Sequence, residues 1–301
     1  MQLSIIICTY NPREDYLRRV LDALKAQTLP KEQLELLLID NASKEPLAGR
    51  WDLSWHPNPR IIREKEPGLT PARLRGVKES NCELLVFVDD DNVLFPDYLA
   101  ECLQIANAWP VLGAWGGQQF PEFEDGPPAE KWKADFWTST LKRDVWSNNY
   151  DRATVPIGAG VCIRRQVALE YATLAGSDPL RQNLDRKGSG LNSCGDFDMA
   201  FVACDLGLGL GRFMRLKLDH LMPANRVSDD YLIRLSEGIG YSETVLVALR
   251  GQFPSECRVD QVVDFYKRLR LSRIQRALAV AYKAGRSRAI RELKTVQSKL
   301  S

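Results

Sequence analysis

The chain has 301 residues, 45% of them hydrophobic, and a formal net charge of +2. That size and apolar content can bury a large core, as one big domain or a domain with an appendage, and they exclude a disordered chain or a mini-scaffold. No uncharged apolar run approaches the roughly 20 residues of a membrane span, no basic leader opens the chain, and seven scattered cysteines without a CxxC pair read as reduced core residues of a cytoplasmic protein.

The first third alternates apolar strands with amphipathic helices. Residues 3–8, 34–39, 60–64 and 84–88 read as strands; the first, second and fourth are almost continuously apolar, as parallel strands covered on both faces must be. Residues 14–27 carry Leu17, Val20, Leu21 and Leu24 on one helical face. A second helix is expected from Thr70 as N-cap with Pro71 at the first helical position, and a third over 95–108 with Pro96 in the same place. This order implies right-handed βαβ units in an open sheet, where ligands bind beyond the carboxyl ends of the strands.

Those ends read CTYN (8–11), DNAS (40–43), EKEPG (64–68) and DDDN (89–92). One aspartate after a strand is ordinarily a turn residue or a helix cap. Three in succession repel and raise one another's pKa unless a cation neutralises them. Mg²⁺ or Mn²⁺ suits that role, because it favours oxygen ligands and shares its shell with phosphate.

The succession SIIICTYNP, LLLIDNAS, EPGLTPARLRG, LLVFVDDDN resembles the nucleotide-binding half of a family 2 glycosyltransferase with the GT-A fold, strongly over about residues 1–120 and more loosely over 154–226. The resemblance implies an α/β fold, a mostly parallel, Rossmann-like sheet flanked by helices. Its catalytic domain, 1–226, would divide into a nucleotide-sugar-binding half (1–120) and an acceptor-binding half (121–226). It further implies that Thr9, Tyr10 and Asn11 line the base and ribose pocket, that Asp40 accepts from the nucleobase, with uracil expected, and that Gly68, Leu69 and Arg73 cover the nucleotide. Asp89 and Asp91 become the motif for Mn²⁺ or Mg²⁺, Asp91 as direct ligand and Asp89 also toward the ribose. Asp90 is the variable middle residue beside the nucleotide. Cys8 stands where the family often has proline.

Further along, residues 153–165 (ATVPIGAGVCIRR) read as an apolar strand interrupted by Gly158 and Gly160, which with Ala159 are expected at the acceptor. Trp109, Trp115, Trp132, Trp137 and Trp146 read as sugar-stacking surfaces or as core anchors, and 176–190 as a flexible polar lid. In residues 192–211 Asp196 and Asp198 match the second and third acids of the family pattern, with Gly195 in place of the first. The resemblance gives Asp196 the general-base role and puts Asp198 at the acceptor; the plain alternative is two acids favoured by a helix dipole. His220 is read as a third metal ligand or a diphosphate contact, and Arg226 as a diphosphate clamp.

After Pro223, helices over about 228–250 and 259–297 form an α-helical C-terminal extension, 227–301. From Gln261 onward eleven Lys or Arg face two acids, which leaves about −7 on the rest of the chain. Apolar residues recur there at three-to-four spacing, interrupted at Gly285. Such an extension packs on the body, pairs two copies as a homodimer, or meets an anionic membrane surface; nucleic acid is not the expected partner.

The expected activity is metal-dependent, inverting transfer from a nucleotide-sugar donor, a UDP-sugar, to a hydroxyl of a saccharide, lipid-linked or protein-linked acceptor. Polysaccharide, glycolipid or glycoprotein glycan synthesis in the cytoplasm, or peripherally at the inner face of the membrane, is the setting implied. The competing readings are a sugar-1-phosphate nucleotidyltransferase, whose glycine-rich signature after the first strand is missing, and a catalytically inactive scaffold, which would not need Asp89, Asp91 and Asp196.

Overall fold

The computed structural model describes residues 1–252 and 271–300, with side chains up to Thr295. Cys257 and residues 259–270 of the expected second tail helix lie outside the described residues. The elements begin β1 (Leu3–Thr9), α1 (Glu14–Lys25), β2 (Leu34–Asn41), β3 (Pro59–Glu64), α2 (Leu69–Glu79), β4 (Leu84–Asp89), β5 (Asn92–Leu94) and α3 (Tyr98–Ala108). They continue with β6 (Leu112–Phe123), α4 (Lys131–Trp137), β7 (Val145–Ser147), β8 (Cys162–Arg164), α5 (Arg165–Ser177), α6 (Pro179–Gln182), α7 (Gly195–Asp205) and β9 (Gly209–Met222), and end with α8 (Asp229–Ala248) and α9 (Arg273–Leu300).

Among the described residues one sheet takes nine strands in the order β3-β2-β1-β4-β8-β6-β9-β5, with β7 on β9. The first four are parallel. Beyond them the sheet is mixed: β8 runs antiparallel to β4 and β6, while β6 and β9 are parallel and β5 and β7 oppose β9. Every residue of β1 and β2 is buried, because helices cover both faces. Leu17, Val20, Leu21 and Leu24 of α1 and Leu99, Cys102 and Ile105 of α3 share a core with Ile5, Ile7, Leu36 and Leu38. On α2, a methyl group at Gly76 would stand 2.4 Å from Ile6 Cγ2, so glycine lets this helix settle directly on β1.

Three local expectations change. Helix α2 starts at Leu69 and its N-cap is Gly68, not Thr70; the Gly68 φ of 137° suits glycine, and its N–H is held by Asn41 Oδ1 at 2.8 Å. Helix α3 starts at Tyr98 behind Asp97, and Pro96 precedes the cap. The strand expected over 153–165 shrinks to Cys162–Arg164: Val161 N–H turns back to Gly158 O, and Gly160 adopts a φ of 72° where a methyl group would strike the Tyr98 hydroxyl at 2.4 Å.

The chain divides into two compact units, Met1–Gln182 with Asp196–Ala224, and Asn183–Gly195 with the described residues after Ala224. In the second unit Ser228 caps α8 by accepting from Tyr231 N–H. Helices α8 and α9 meet at glycines: a methyl group at Gly240 would lie 2.1 Å from Tyr282 O, and one at Gly285 1.9 Å from Glu237 O. Gly285 therefore does not interrupt α9; it is where α8 crosses at backbone distance. Tyr241 to Glu292, Tyr282 to Glu243 and Arg288 to Glu237 tie the pair at 2.6–2.8 Å.

The stretch 176–190, expected as a flexible polar lid, carries Arg181, Leu184 and Asp185 buried. Six cysteines among the described residues are free thiols, five of them buried. No helix among the described residues is long and apolar enough to cross a membrane.

Candidate active site

The parallel register brings the strand-end motifs side by side, Thr9 beside Asp40 and Cys8 beside Asp89. Just beyond β1 and β2 the backbone turns sharply, with left-handed φ at Asn11 (47°) and Ala42 (54°), a form of strain that clusters at functional sites. Asn11 N–H donates to Ser43 Oγ at 2.9 Å and Lys44 N–H to Asn11 Oδ1 at 2.8 Å, binding the two loops together. A cleft of about 870 Å³, lined by Asn11, Ser43, Lys44, Trp51 and Trp55 among others, opens there against α1. Tyr10, which precedes Asn11, is 55% exposed.

Asp40 is buried and accepts from Ser43 N–H at 3.2 Å, Leu47 N–H at 3.1 Å and Arg63 Nη1 at 2.6 Å. Burial pushes its carboxyl up, but these hydrogen bonds outweigh burial and leave it below the usual carboxylate range. Arg63 escaped the sequence reading because one arginine in an edge strand has no motif. Asn41 closes the third strand end by accepting from Gly68 N–H and donating to Glu66 O at 2.6 Å.

The three aspartates have different surroundings. Thr9 Oγ1 donates to Asp90. Asp91 is buried, accepts from Asn92 Nδ2 at 3.1 Å, and has His220 Nε2 3.4 Å from its Oδ2. The approach of His220 follows from topology: β5 pairs with β9 so that Asn92 opposes His220, and Leu221 N–H donates to Asp91 O at 2.8 Å. Asn92 Oδ1 accepts from Asp89 N–H at 3.2 Å, closing the turn. Among the described residues no three metal-ligating side chains converge on one point. The oxygen donors of Asp89 and Asp91 nonetheless fit a hard cation held by one or two carboxylates plus substrate phosphates.

Behind His220 stands Gln119, which the sequence reading missed; its amide nitrogen lies 2.7 Å from His220 Nδ1. The available signal was two adjacent glutamines, Gln118 and Gln119, in a strand otherwise apolar and buried at that point. Trp137 and the imidazole form a T-shaped pair, with ring centres 6.1 Å apart. Trp115 is fully buried in the core, and Trp109 packs on Trp146 and Phe213.

On the far side of β4, Asp196 opens α7. Its Oδ2 accepts from Gly158 N–H at 2.6 Å and its Oδ1 from Phe197 N–H at 2.9 Å. Arg73 is buried and reaches the same place: a methyl group at Gly158 would stand 2.9 Å from Arg73 Nη2 and 3.0 Å from Asp196 Oδ2. Ala159 is buried beside it. Asp198, expected at the acceptor, is instead fully buried, its two oxygens 2.7 and 2.8 Å from Arg181 Nη1. An enclosed carboxylate gripped this way anchors α7 and cannot meet a substrate. Arg226 lies in the 3₁₀ turn Ala224–Val227.

With this geometry in place, comparison with known proteins is decisive. The family model described as "Glycosyl transferase family 2" matches residues 4–171, more than half the chain. The chain belongs to glycosyl transferase family 2. Within the family it is 25% identical over 150 residues to glycosyltransferase AglE of Haloferax volcanii, spanning 49% of each chain, so this match covers about half the relative's length. To the glucosyl-dolichyl phosphate glucuronosyltransferase of the same organism it is 21% identical over 295 residues, 93% of this chain and 92% of that one. Among solved structures, Staphylococcus aureus TarS 1–349 aligns with a TM-score of 0.56 at 14% identity, covering 96% of this family 2 chain and 81% of TarS. GalNAc-T7 with UDP, GalNAc and Mn²⁺ aligns with a TM-score of 0.52 at 18% identity, covering 73% and 43%. Both likenesses are of fold.

Proposed function

We propose that the protein transfers a sugar, with inversion, from a UDP-sugar to a hydroxyl acceptor. The observation that carries this reading is the placement of Asp196 and Arg73 together beside Gly158. A carboxylate accepts about four hydrogen bonds, so Asp196 can take a hydroxyl proton while the Gly158 and Phe197 N–H groups hold it still. The acceptor oxygen then bonds to the anomeric carbon, the bond from that carbon to phosphate oxygen breaks, the diphosphate leaves with the electron pair, and Asp196 keeps the proton.

The TarS structure in complex with UDP-GlcNAc and the GalNAc-T7 structure with UDP support uracil as the base. Thr9, Tyr10 and Asn11 would line its pocket, with Asp40 shaping the floor and Gly68 and Arg73 covering the nucleotide. Asp91, with Asp89, would hold Mn²⁺ or Mg²⁺; when bound, such an ion stabilises the charge on the departing diphosphate. Gly158–Gly160 are proposed to border the acceptor. A lipid-linked acceptor is favoured over a free or protein-linked saccharide by the full-length likeness to an enzyme named for glucosyl-dolichyl phosphate.

The test is release of nucleoside diphosphate from a panel of nucleotide sugars, with Mn²⁺ or with EDTA. Mn²⁺-dependent release from a UDP-sugar is the expected result. Equal release in EDTA would remove the metal, and no release from any donor with any acceptor would remove the transferase.

A further inference from the structure

We propose that the cleft between α1 and the chain joining β2 to β3 is a saccharide-binding site outside the reaction centre. Trp51 and Trp55 take the C–H faces of neutral sugar rings there, and the charged residues around them take the ring hydroxyls. The proposal goes beyond glycosyl transfer and does not depend on it.

The cleft exists because of how two parallel strands are joined. β2 and β3 are parallel neighbours, so the chain between them must cross back from the carboxyl end of one strand to the start of the next. A helix ordinarily makes that crossing; here residues 42–58 make it without a helix or a strand. A connection of this kind longer than about 12–15 residues is uncommon in a compact fold, and is usually a functional segment or a linker. This one is no linker, because it is pinned along its length. Leu47 N–H donates to Asp40 Oδ2 at 3.1 Å, Arg50 N–H returns to Leu47 O and His56 N–H to Leu53 O, each at 3.0 Å, and Leu47, Leu53 and His56 are buried. The segment therefore stands as a fixed wall beside α1.

One end of the cleft, at Asn11, Ser43 and Lys44, adjoins the strand ends. The other lies down the flank of α1 at Leu21 and Lys25, the latter roughly 16 Å from Glu14 at about 1.5 Å per residue. The crossing segment descends the same way, to Pro59, which pairs with Leu36 near the start of β2. Trp51 and Trp55 stand on that descent; both are half-buried, packing on the core and also lining the cleft. Trp55 is set by a T-shaped contact with His56, ring centres 5.6 Å apart, and His56 Nδ1 accepts from Asn58 N–H at 3.1 Å.

The charges of the cleft balance. Arg18 pairs with Glu14 at 2.6 Å and Arg50 with Glu45 at 3.0 Å, while Lys25 and Lys44 are matched by Asp22 and Asp52. A second nucleotide, a phosphorylated lipid or an acidic polymer calls for an excess of cations, and this lining offers equal numbers of each sign. Hydroxyls need no excess, since each both donates and accepts. Flat apolar rings with balanced polar groups beside them fit a pyranose, which carries C–H bonds on its faces and hydroxyls around its edge. At about 870 Å³ the cleft lies within the roughly 300–1,000 Å³ of small-ligand sites.

The test is saturation-transfer difference NMR on the full chain with neutral probes, cellotetraose, maltotetraose, mannotetraose and chitotetraose, and with an acidic one, a hyaluronan tetrasaccharide. At least one neutral probe should show transfer to its ring C–H protons. Trp51→Leu and Trp55→Leu should each weaken it by about 3–10-fold, the worth of one ring contact, while leucine keeps apolar packing on the core. Should either variant fail to fold, Asp22→Ala and Lys25→Ala, both at exposed positions of α1, should weaken the same probe by about 2–10-fold. UDP with Mn²⁺ should leave the bound probe in place.

Displacement by UDP would make the cleft part of the donor pocket, and tighter binding of the acidic probe would remove the neutral class. No transfer to any neutral probe, or equal binding by all variants, would remove the site. Each of these results overturns the proposal. No turnover is needed, so a bound probe in a protein inert to every donor would leave this site standing and remove only the transferase.

Discussion

Asp196 serves as a base only if it stays ionised and aimed, and both conditions trace to its neighbours. The Gly158 N–H fixes one oxygen and the Phe197 N–H the other, while α7 adds the positive end of its dipole. Asp196→Asn keeps the shape and removes the base, so UDP-sugar affinity should hold while kcat falls by about 10²–10⁴-fold; retained turnover would take the role away. Gly158→Ala sets a methyl group 2.9 Å from both Arg73 Nη2 and Asp196 Cβ, so it should push the two side chains off their places and lower kcat.

Two other carboxylates concern stability. Burial raises the pKa of both Asp40 and Glu35, yet hydrogen bonds from Ser43, Arg63 and Leu47 in one case, and from Ser4, Asn81 and Arg60 in the other, bring both below their ordinary values of 3.8 and 4.5. A depressed folded pKa means stability that is complete above the unfolded value and lost as pH falls through the folded one. Thermal melts should therefore be flat near neutrality and fall below about pH 4.5, and Arg63→Gln should flatten that fall.

At the scale of elements, legibility follows the locality of the cause. Strands β1, β2 and β4 were readable because burial on both faces writes itself as an unbroken apolar run, and α1 because one buried face recurs every three to four residues. The start of α2 was misread because Pro71 and Thr70 look like a cap, whereas the deciding hydrogen bond comes from Asn41, far away in sequence. The mixed half of the sheet is harder still: β6, β8 and β9 pair across long separations, so no local pattern reports that His220 lands beside Asp91 or that Gln119 lands behind it. The strand-end motifs could be read because they directly follow apolar runs; Gln119 and Arg63 act from within strands and carry no motif.

Gly285 shows the same limit, since a glycine in a helical pattern reads as a break until the partner helix is known. Gly285→Ala would drive a methyl group into Glu237 O, and overpacking of this kind costs about 1–3 kcal/mol. Urea unfolding should lose that much stability with the slope unchanged; an unaffected midpoint would mean that α8 and α9 do not meet as described.

At the scale of the whole molecule, charge is the feature that local chemistry does not use. Residues from Gln261 onward carry a net +9 against about −7 on the rest. Within α9, Arg273, Arg276, Arg291 and Lys294 are exposed, and their spacing puts them on one face with Val280, which is 55% exposed. The opposite face is spent on α8 through Gly285, Ala289 and Leu293, which are buried. An outward basic stripe with an apolar residue in it matches an anionic lipid surface, where each Lys or Arg contributes about 1 kcal/mol. Such attraction is screened as the Debye length shrinks from about 10 Å at 0.1 M salt to about 3 Å at 1 M. Flotation should therefore bring the protein up with vesicles containing phosphatidylserine at low salt, and not with phosphatidylcholine alone or at high salt. Replacing the four exposed cations by glutamate should abolish it while leaving turnover of a water-soluble acceptor intact. Equal flotation on neutral and anionic vesicles, or none on either, would assign the stripe to solvent, and a lipid-linked acceptor would then have to be reached without help from this helix.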